Sequence, residues 1–402
     1  MDWKSYKLGN LCEITSSRRI FYSEYTVSGV PFYRSKEIIT LFNRNNIATE
    51  LYISDERYNE IKSKFGVPIE NDILLTSVGT IGIPYLVKTS DKFYFKDGNL
   101  TWLRNYNRNL INPLYLFLWI SSNIGKQSLT ILSMGAAQPA LTISRLNNLT
   151  IILPTIKEQR KIASILSFYD SLIENNTKRI HLLEQMAENL YKEWFVRFRF
   201  PEHENTEFVD GLPKGWKYEN LFDVANVSYG YAFKSNLFCD DKNLNAVVRI
   251  RDIQDNHTDT YTNERCDDKY LIEENAIIIG MDGIFHMCLW NGDRAYLNQR
   301  VVKILSKNID FCNYMLLMAI RPQVKFWEQV IVGTTVAYLG DKHLRKIKVL
   351  VPKRAILVKA NKQIEMIMKE KNKLFRENSS LIRHRDLLLP RLMSGKLEVK
   401  TI

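Results

Sequence analysis

Two kinds of hydrophobic pattern alternate along this chain. Over the first 150 residues the apolar positions come in short runs, such as Ile73-Leu74-Leu75 and Leu100 to Leu103, broken by turns rich in glycine and asparagine. That pattern predicts β-rich structure with short loops. A small helix is predicted near 113–122, where Pro113 fits a first helical turn, and an apolar strand follows, ending at Pro154. Beyond the proline the period changes to that of a helix, over about 156–195. Its heptad a positions are Ile162, Tyr169, Asn176, Leu183 and Leu190, flanked by Ile165, Leu166, Leu172, Ile173, Ile180, Met186 and Trp194. The only polar residue in the a series is Asn176. It either fixes register from a buried position, as polar a residues do, or faces solvent.

The whole sequence of patterns then recurs. Trp3-Lys4 to Leu11 is echoed by Gly215-Trp216-Lys217 to Leu221, and Val30 to Ile38 by Ala246 to Ile253. Glu70-Asn71-Asp72-Ile73-Leu74-Leu75 returns as Glu274-Asn275-Ala276-Ile277-Ile278-Ile279, each followed by a glycine turn. Asn99 to Leu103 returns around Asn298 to Val302, a second small helix is predicted near 311–320, and Ile151-Ile152-Leu153-Pro154 matches Val349-Leu350-Val351-Pro352. A second long helix keeps the phase, with Ala360, Ile367, Leu374, Leu381 and Leu388 at a. A repeat of this length doubles one architecture in a single chain.

Stripes this long exceed what one small domain covers, so the two helices are expected to pack on each other. At about 1.5 Å per residue, some 35 helical residues span about 50 Å. Each β-rich domain precedes its helix, so an antiparallel coiled coil would hold the domains at opposite ends, related by a pseudo-two-fold axis. Duplex DNA has local two-fold axes and a repeat of about 34 Å, which suits one domain per half-site.

Charge strengthens that expectation. Lys and Arg number 56 against 44 Asp and Glu, a net +12, and the pI is about 9.2, which points first to a polyanionic partner. The excess is regional: residues 101–150 carry four basic residues and no acid, 201–300 ten basic and 18 acidic, and 301–402 21 basic and eight acidic. Hydrophobic residues at 45% and charged ones at 25% exclude disordered and fibrous classes. The apolar stretch Leu110 to Ile120, interrupted by Asn112 and Pro113, is short of the roughly 20 residues of a membrane span. No charged segment followed by an apolar one opens the chain, and a cytoplasmic location is expected. Cys12, Cys239, Cys266, Cys288 and Cys312 form no C-x-x-C pair, and the six histidines show no H-x-x-x-H spacing, so neither a disulfide framework nor a metal site is expected.

Several long motifs, in order, resemble the specificity subunits of type I restriction-modification systems. Leu153-Pro154-Thr155-Ile156-Lys157-Glu158-Gln159-Arg160-Lys161-Ile162-Ala163-Ser164-Ile165-Leu166, then Leu182 to Ala187 and Leu190-Tyr191-Lys192-Glu193-Trp194-Phe195-Val196, resemble the family's central conserved region. Arg385 to Leu397 resembles the distal one. Pro352-Lys353-Arg354-Ala355 departs by lacking the Glu-Gln-Arg of the first copy. The resemblance covers essentially the whole chain. It implies an α+β fold with two β-rich α/β target-recognition domains in tandem, residues 1–153 and 201–352, separated by two conserved helical spacers, 154–200 and 353–402, that form an antiparallel coiled coil. It further implies a non-catalytic subunit that reads a bipartite, asymmetric double-stranded DNA target in phage defence. Two modification subunits would carry S-adenosylmethionine and methylate adenine, two restriction subunits would use ATP and Mg, and no cofactor would bind this chain. The other readings are a stand-alone DNA methyltransferase or nuclease, and an orphan adaptor working with modification subunits alone.

Motifs for catalysis are weak. Asn112-Pro113-Leu114-Tyr115 approximates the tetrapeptide with which amino-methyltransferases hold a flipped base, but one residue differs and it sits at a predicted helix start. Glu60-Ile61-Lys62 and Glu398-Val399-Lys400 have the E-x-K form of some nucleases, which arises freely by chance, and no phosphate-binding G-x-x-x-x-G-K-[ST] occurs. Base reading needs bidentate donors, and phosphate contacts use Lys, Arg, Ser, Thr and loop backbone. The candidates in the first domain are Arg18, Arg19, Tyr22, Arg34, Lys36, Ser77, Thr80 and Gln138. Those in the second are Tyr229, Tyr231, Lys234, Arg249, Arg251, Asn298, Gln299, Arg300, Thr334, Thr335 and Tyr338. The aromatics among them serve either as contacts or as core.

Overall fold

The computed structural model describes residues 3–43, 47, 49–134, 139–331 and 337–399. The chain divides into one unit of residues 1–174 with 378–402 and a second of 175–377. In the first, strand Lys4–Lys7 pairs antiparallel with Thr150–Leu153, so the start of the domain is bonded to the strand that leads out of it. A four-stranded antiparallel sheet runs in the order Glu13–Thr15, Leu100–Arg104, Ile73–Thr76, Pro84–Leu86. Another joins Tyr25–Thr26, Tyr52–Ile53, Val30–Tyr33 and Tyr94–Phe95, the last pair being parallel.

The second unit repeats each of these sheets. Lys217–Asn220 pairs with Lys348–Val351. The order Ala225–Tyr229, Val301–Ser306, Ile277–Gly280, Met287–Leu289 reproduces the antiparallel sheet, and Phe238–Cys239, Tyr261–Thr262, Asn245–Val248, Tyr296–Leu297 reproduces the other, with its final parallel pair. Local detail repeats as well. Asn71 and Asn275, which open equivalent strands, both hold a left-handed φ, +73° and +61°, and their amides donate to Val87 and Trp290. Asparagine tolerates that conformation better than most residues. One alignment shifts: Leu100 lies opposite Thr76 and Val301 opposite Gly280, so Asn99 corresponds to Arg300 rather than to Asn298.

Each unit packs its core against its own stretches of the two long helices, Ile156–Tyr191 and Arg354–Met393. The first helix starts on a reciprocal cap: the Thr155 amide donates to Glu158 Oε2 at 2.9 Å, and the Glu158 amide to Thr155 Oγ1 at 3.4 Å. In unit one Ile162, Ala163 and Leu166 share a core with Leu392 and Met393, Arg385 pairs with Asp170 at 2.9 Å, and Asn378 Nδ2 donates to the Ile173 carbonyl at 3.3 Å. As one segment advances its partner recedes, so the pairing is antiparallel. In unit two Ala187 and Tyr191 share a core with Ala360, Ile364 and Met368, and Arg179 meets Glu370 at 3.1 Å. The buried seam passes through Ala187, and Met186, expected on the stripe, is 56% exposed. Asn176 is buried, at 4%.

The small helices differ between units. Pro113–Ser121 is followed at Ser122 by a break and a second helix, Asn123–Ser133. The helix expected near 311–320 instead runs unbroken over Asn313–Val330, with Pro322 inside it. Two further helices, Ser35–Phe42 and Asp55–Phe65, stand between the short strands of the first unit. Among the described residues no helix is long and apolar enough to cross a membrane.

Candidate nucleic-acid interface

In unit one Arg18, Arg19 and Ser77 are tied to strand Tyr94–Phe95 and the turn that follows it. The Arg18 amide donates to Tyr94 Oη at 2.7 Å, and its guanidinium lies 4.2 Å from the Phe65 ring centre. Arg19 pairs with Asp97 at 2.9 Å. Asn99 accepts from the Ser77 amide at 2.9 Å, which fastens this turn to the neighbouring hairpin. Gly79 and Gly82 shape that hairpin with left-handed φ values of +77° and +81°, and Thr80 is exposed at its tip. Lys36 is exposed in the first turn of the helix that Arg34 caps. Tyr22, on a short helical turn, is 90% exposed.

Ser77 does not belong to the reachable set. It is 3% exposed, and its hydroxyl lies 2.6 Å from that of Thr101 and donates to the Leu75 carbonyl. A hydroxyl satisfied inside the sheet has nothing left for a phosphate. Arg34 is also committed, with its amide on Glu37 Oε2 at 2.8 Å and its Nη2 on Oε1 at 3.0 Å. Burial opposes ionisation of Glu37, but the Arg34 hydrogen bonds outweigh it and hold the carboxyl below its ordinary range. The repeat places Arg249 and Asp252 in the same relation, at 2.9 Å. Here burial prevails over the bonds from Thr258 and Arg251, and the Asp252 carboxyl is pushed up.

In unit two the candidates lie among aromatics and carboxylates. Tyr231 bridges Asn298, and the Gln299 amide donates to the Tyr231 carbonyl at 2.7 Å. The amide of exposed Lys234 and the Tyr231 hydroxyl both donate to Glu264. Arg300 lies 5.1 Å from the Tyr338 ring centre and 3.6 Å from Asp282. Arg249 lies over Phe238 at 5.5 Å, and exposed Arg251 reaches Thr260 Oγ1 at 3.4 Å. Tyr229 donates to Asp341 at 2.7 Å, and burial together with that bond raises its phenol pKa. Asp341, held also by Arg345, is correspondingly lowered. Gln138, Thr334 and Thr335 lie outside the described residues. Glu264, Asp282 and Asp341 escape a search for donors alone; the Asp282-Gly283 turn was their one sequence signal.

Two of the motifs that resemble catalytic ones are structural, and the third, Glu398-Val399-Lys400, ends in a residue that lies outside the described ones. Asn112 Oδ1 accepts from the Tyr115 amide at 3.0 Å as a helix cap, and Tyr115 is fully buried. Glu60 pairs with Arg57 and Lys64 along one helix while Ile61 is in the core. Among the described residues no group of His, Cys, Asp and Glu is arranged to hold a metal.

The doubled architecture coincides with a doubled family match. A model described as the type I restriction modification DNA specificity domain matches residues 1–185 and again 213–376. This chain belongs to that family. Among relatives in the specificity family, the type I restriction enzyme MjaIX specificity subunit of Methanocaldococcus jannaschii is 25% identical, the alignment covering 100% of this chain and 95% of the relative. The HindI specificity subunit of Haemophilus influenzae is 23% identical over 98% of this chain and 100% of its own. The crystal structure of a type I system S subunit from M. genitalium shares the fold, with a TM-score of 0.59, 16% identity, and coverage of 100% of this chain and 97% of that one.

Proposed function

We propose that this specificity-family chain is the non-catalytic DNA-reading subunit of a cytoplasmic type I restriction-modification complex, each unit reading one half of a bipartite, asymmetric target. The observation that carries the reading is one scaffold used twice with different side chains on its exposed face. Arg18, Arg19, Lys36 and Thr80 stand on one copy; Lys234, Arg251, Gln299 and Arg300, mixed with tyrosines and carboxylates, stand on the other. Repeated sheets that carry unlike exposed side chains are what two different half-sites require.

The chemistry then belongs to partners: two modification subunits carrying S-adenosylmethionine, and in the restricting complex two restriction subunits using ATP and Mg. This chain's residues bind and orient DNA. The test is methyl transfer from labelled S-adenosylmethionine. The purified chain alone should transfer nothing, and together with its modification subunits it should direct methylation to one sequence. Transfer by the chain alone, or methylation by the mixture without sequence choice, would overturn the reading.

A further inference from the structure

Arg300 occupies a backbone conformation that its side chain does not favour. Val301 donates its amide to the Asn298 carbonyl at 3.2 Å, closing a turn in which Arg300 is the third residue, with φ +71°. That position ordinarily selects glycine or asparagine. In the first unit the left-handed residue of the turn is a glycine, Gly98 at φ +76°, one position before Asn99, the residue that corresponds to Arg300. An arginine kept where a smaller residue would be less strained suggests that the side chain is needed.

Its surroundings show for what. The guanidinium is held against Tyr338 and beside Asp282, yet its side chain remains 55% exposed and that of Asp282 31%. A planar fork of donors and a carboxylate acceptor therefore stand side by side on the open face. In the major groove guanine offers acceptors at O6 and N7, and its cytosine partner offers a donor at N4. A phosphate would suit the guanidinium but would be repelled by Asp282.

We propose that Arg300, with Asp282 beside it, reads a guanine–cytosine pair in the half-site of the second unit. This deepens the functional reading above and rests on it. The two are separable by selection of bound duplexes from a randomised library, using the full-length chain in complex with its modification subunits. The wild-type complex should require a G·C pair at one position of one half-site. Arg300→Gly should lose that preference about tenfold or more while every other position is kept, and its thermal midpoint should not fall, because glycine relieves the turn. Arg300→Lys, which lacks the fork, should relax the same position, and Asp282→Asn should do so more weakly.

Three results would overturn the proposal: no G·C requirement that responds to these variants, an equal loss on all sequences as for a phosphate contact, or a lowered midpoint with an unchanged motif. Should Arg300→Gly fail to fold, Arg300→Lys carries the same test. A wild-type complex with no sequence preference would instead sink the functional reading itself.

Discussion

The Asn112 amide donates to Oε1 of Gln159 at 3.0 Å, linking the start of a domain helix to the second turn of the long helix. Gln159 is fully buried, and its Nε2 donates in turn to the carbonyls of Leu110 and Pro154. In the second copy the corresponding residue is Leu357, and the amide of Cys312 turns to Oδ1 of Asn361, one helical turn further on, at 3.1 Å. Asn361 corresponds to Ala163. The missing Glu-Gln-Arg of the second copy is thus compensated by moving the carboxamide by one turn.

Gln159→Leu should therefore destabilise unit one by about 3 kcal/mol, since it leaves buried backbone groups unbonded. Adding Ala163→Asn rebuilds the arrangement of the second copy and should recover part of the loss. Denaturant unfolding of the two variants checks this; equal stability of the single and double variants would show that the two amides are not interchangeable.

Glu37 supplies a pH dependence with a definite sign. Its folded carboxyl titrates below the ordinary 4.5, so its contribution is fully present above that value and is lost as pH falls through the folded pKa. Glu37→Gln should lower the thermal midpoint at pH 7, and the gap to wild type should close as the pH drops below 4.5. A gap independent of pH would mean that the carboxylate charge is not what stabilises the Arg34 turn.

Asn176 is the polar residue of the heptad a series in helix Ile156–Tyr191, and its Nδ2 is buried without a hydrogen-bond partner among the described residues. Asn176→Leu should raise the thermal midpoint, by about 1–2 kcal/mol of stability. A lower midpoint would show that the amide makes bonds worth more than the burial of leucine.

What could be read from the sequence was what repeats. Short apolar runs closing at Pro154 and Pro352, and the heptad seam from Ile162 to Leu190, are periodic signals, and the strands and long helices stand where those signals lie. Glu60-Ile61-Lys62 reads as a solvated helix face and does lie on a helix, Asp55–Phe65, but Ile61 turns into the core, which a period only a few turns long does not reveal. At the candidate interface, residue type identifies donors but not whether they are spent. Ser77 and Arg34 look as available as Thr80 and Lys36 until their partners Thr101 and Glu37 are seen, and those partners are distant in sequence or buried. The carboxylates Glu264, Asp282 and Asp341 were invisible for the converse reason, since acids count against DNA binding until they are found beside the residues they orient.

Each unit is expected to read its own half-site. This is tested most directly by replacing residues 1–150 with the first domain of another specificity-family chain and mapping the methylated motif in cells that express the complex. One half of the motif should change and the other should be retained base for base. Changes in both halves, or in neither, with methylation still active, would contradict that expectation.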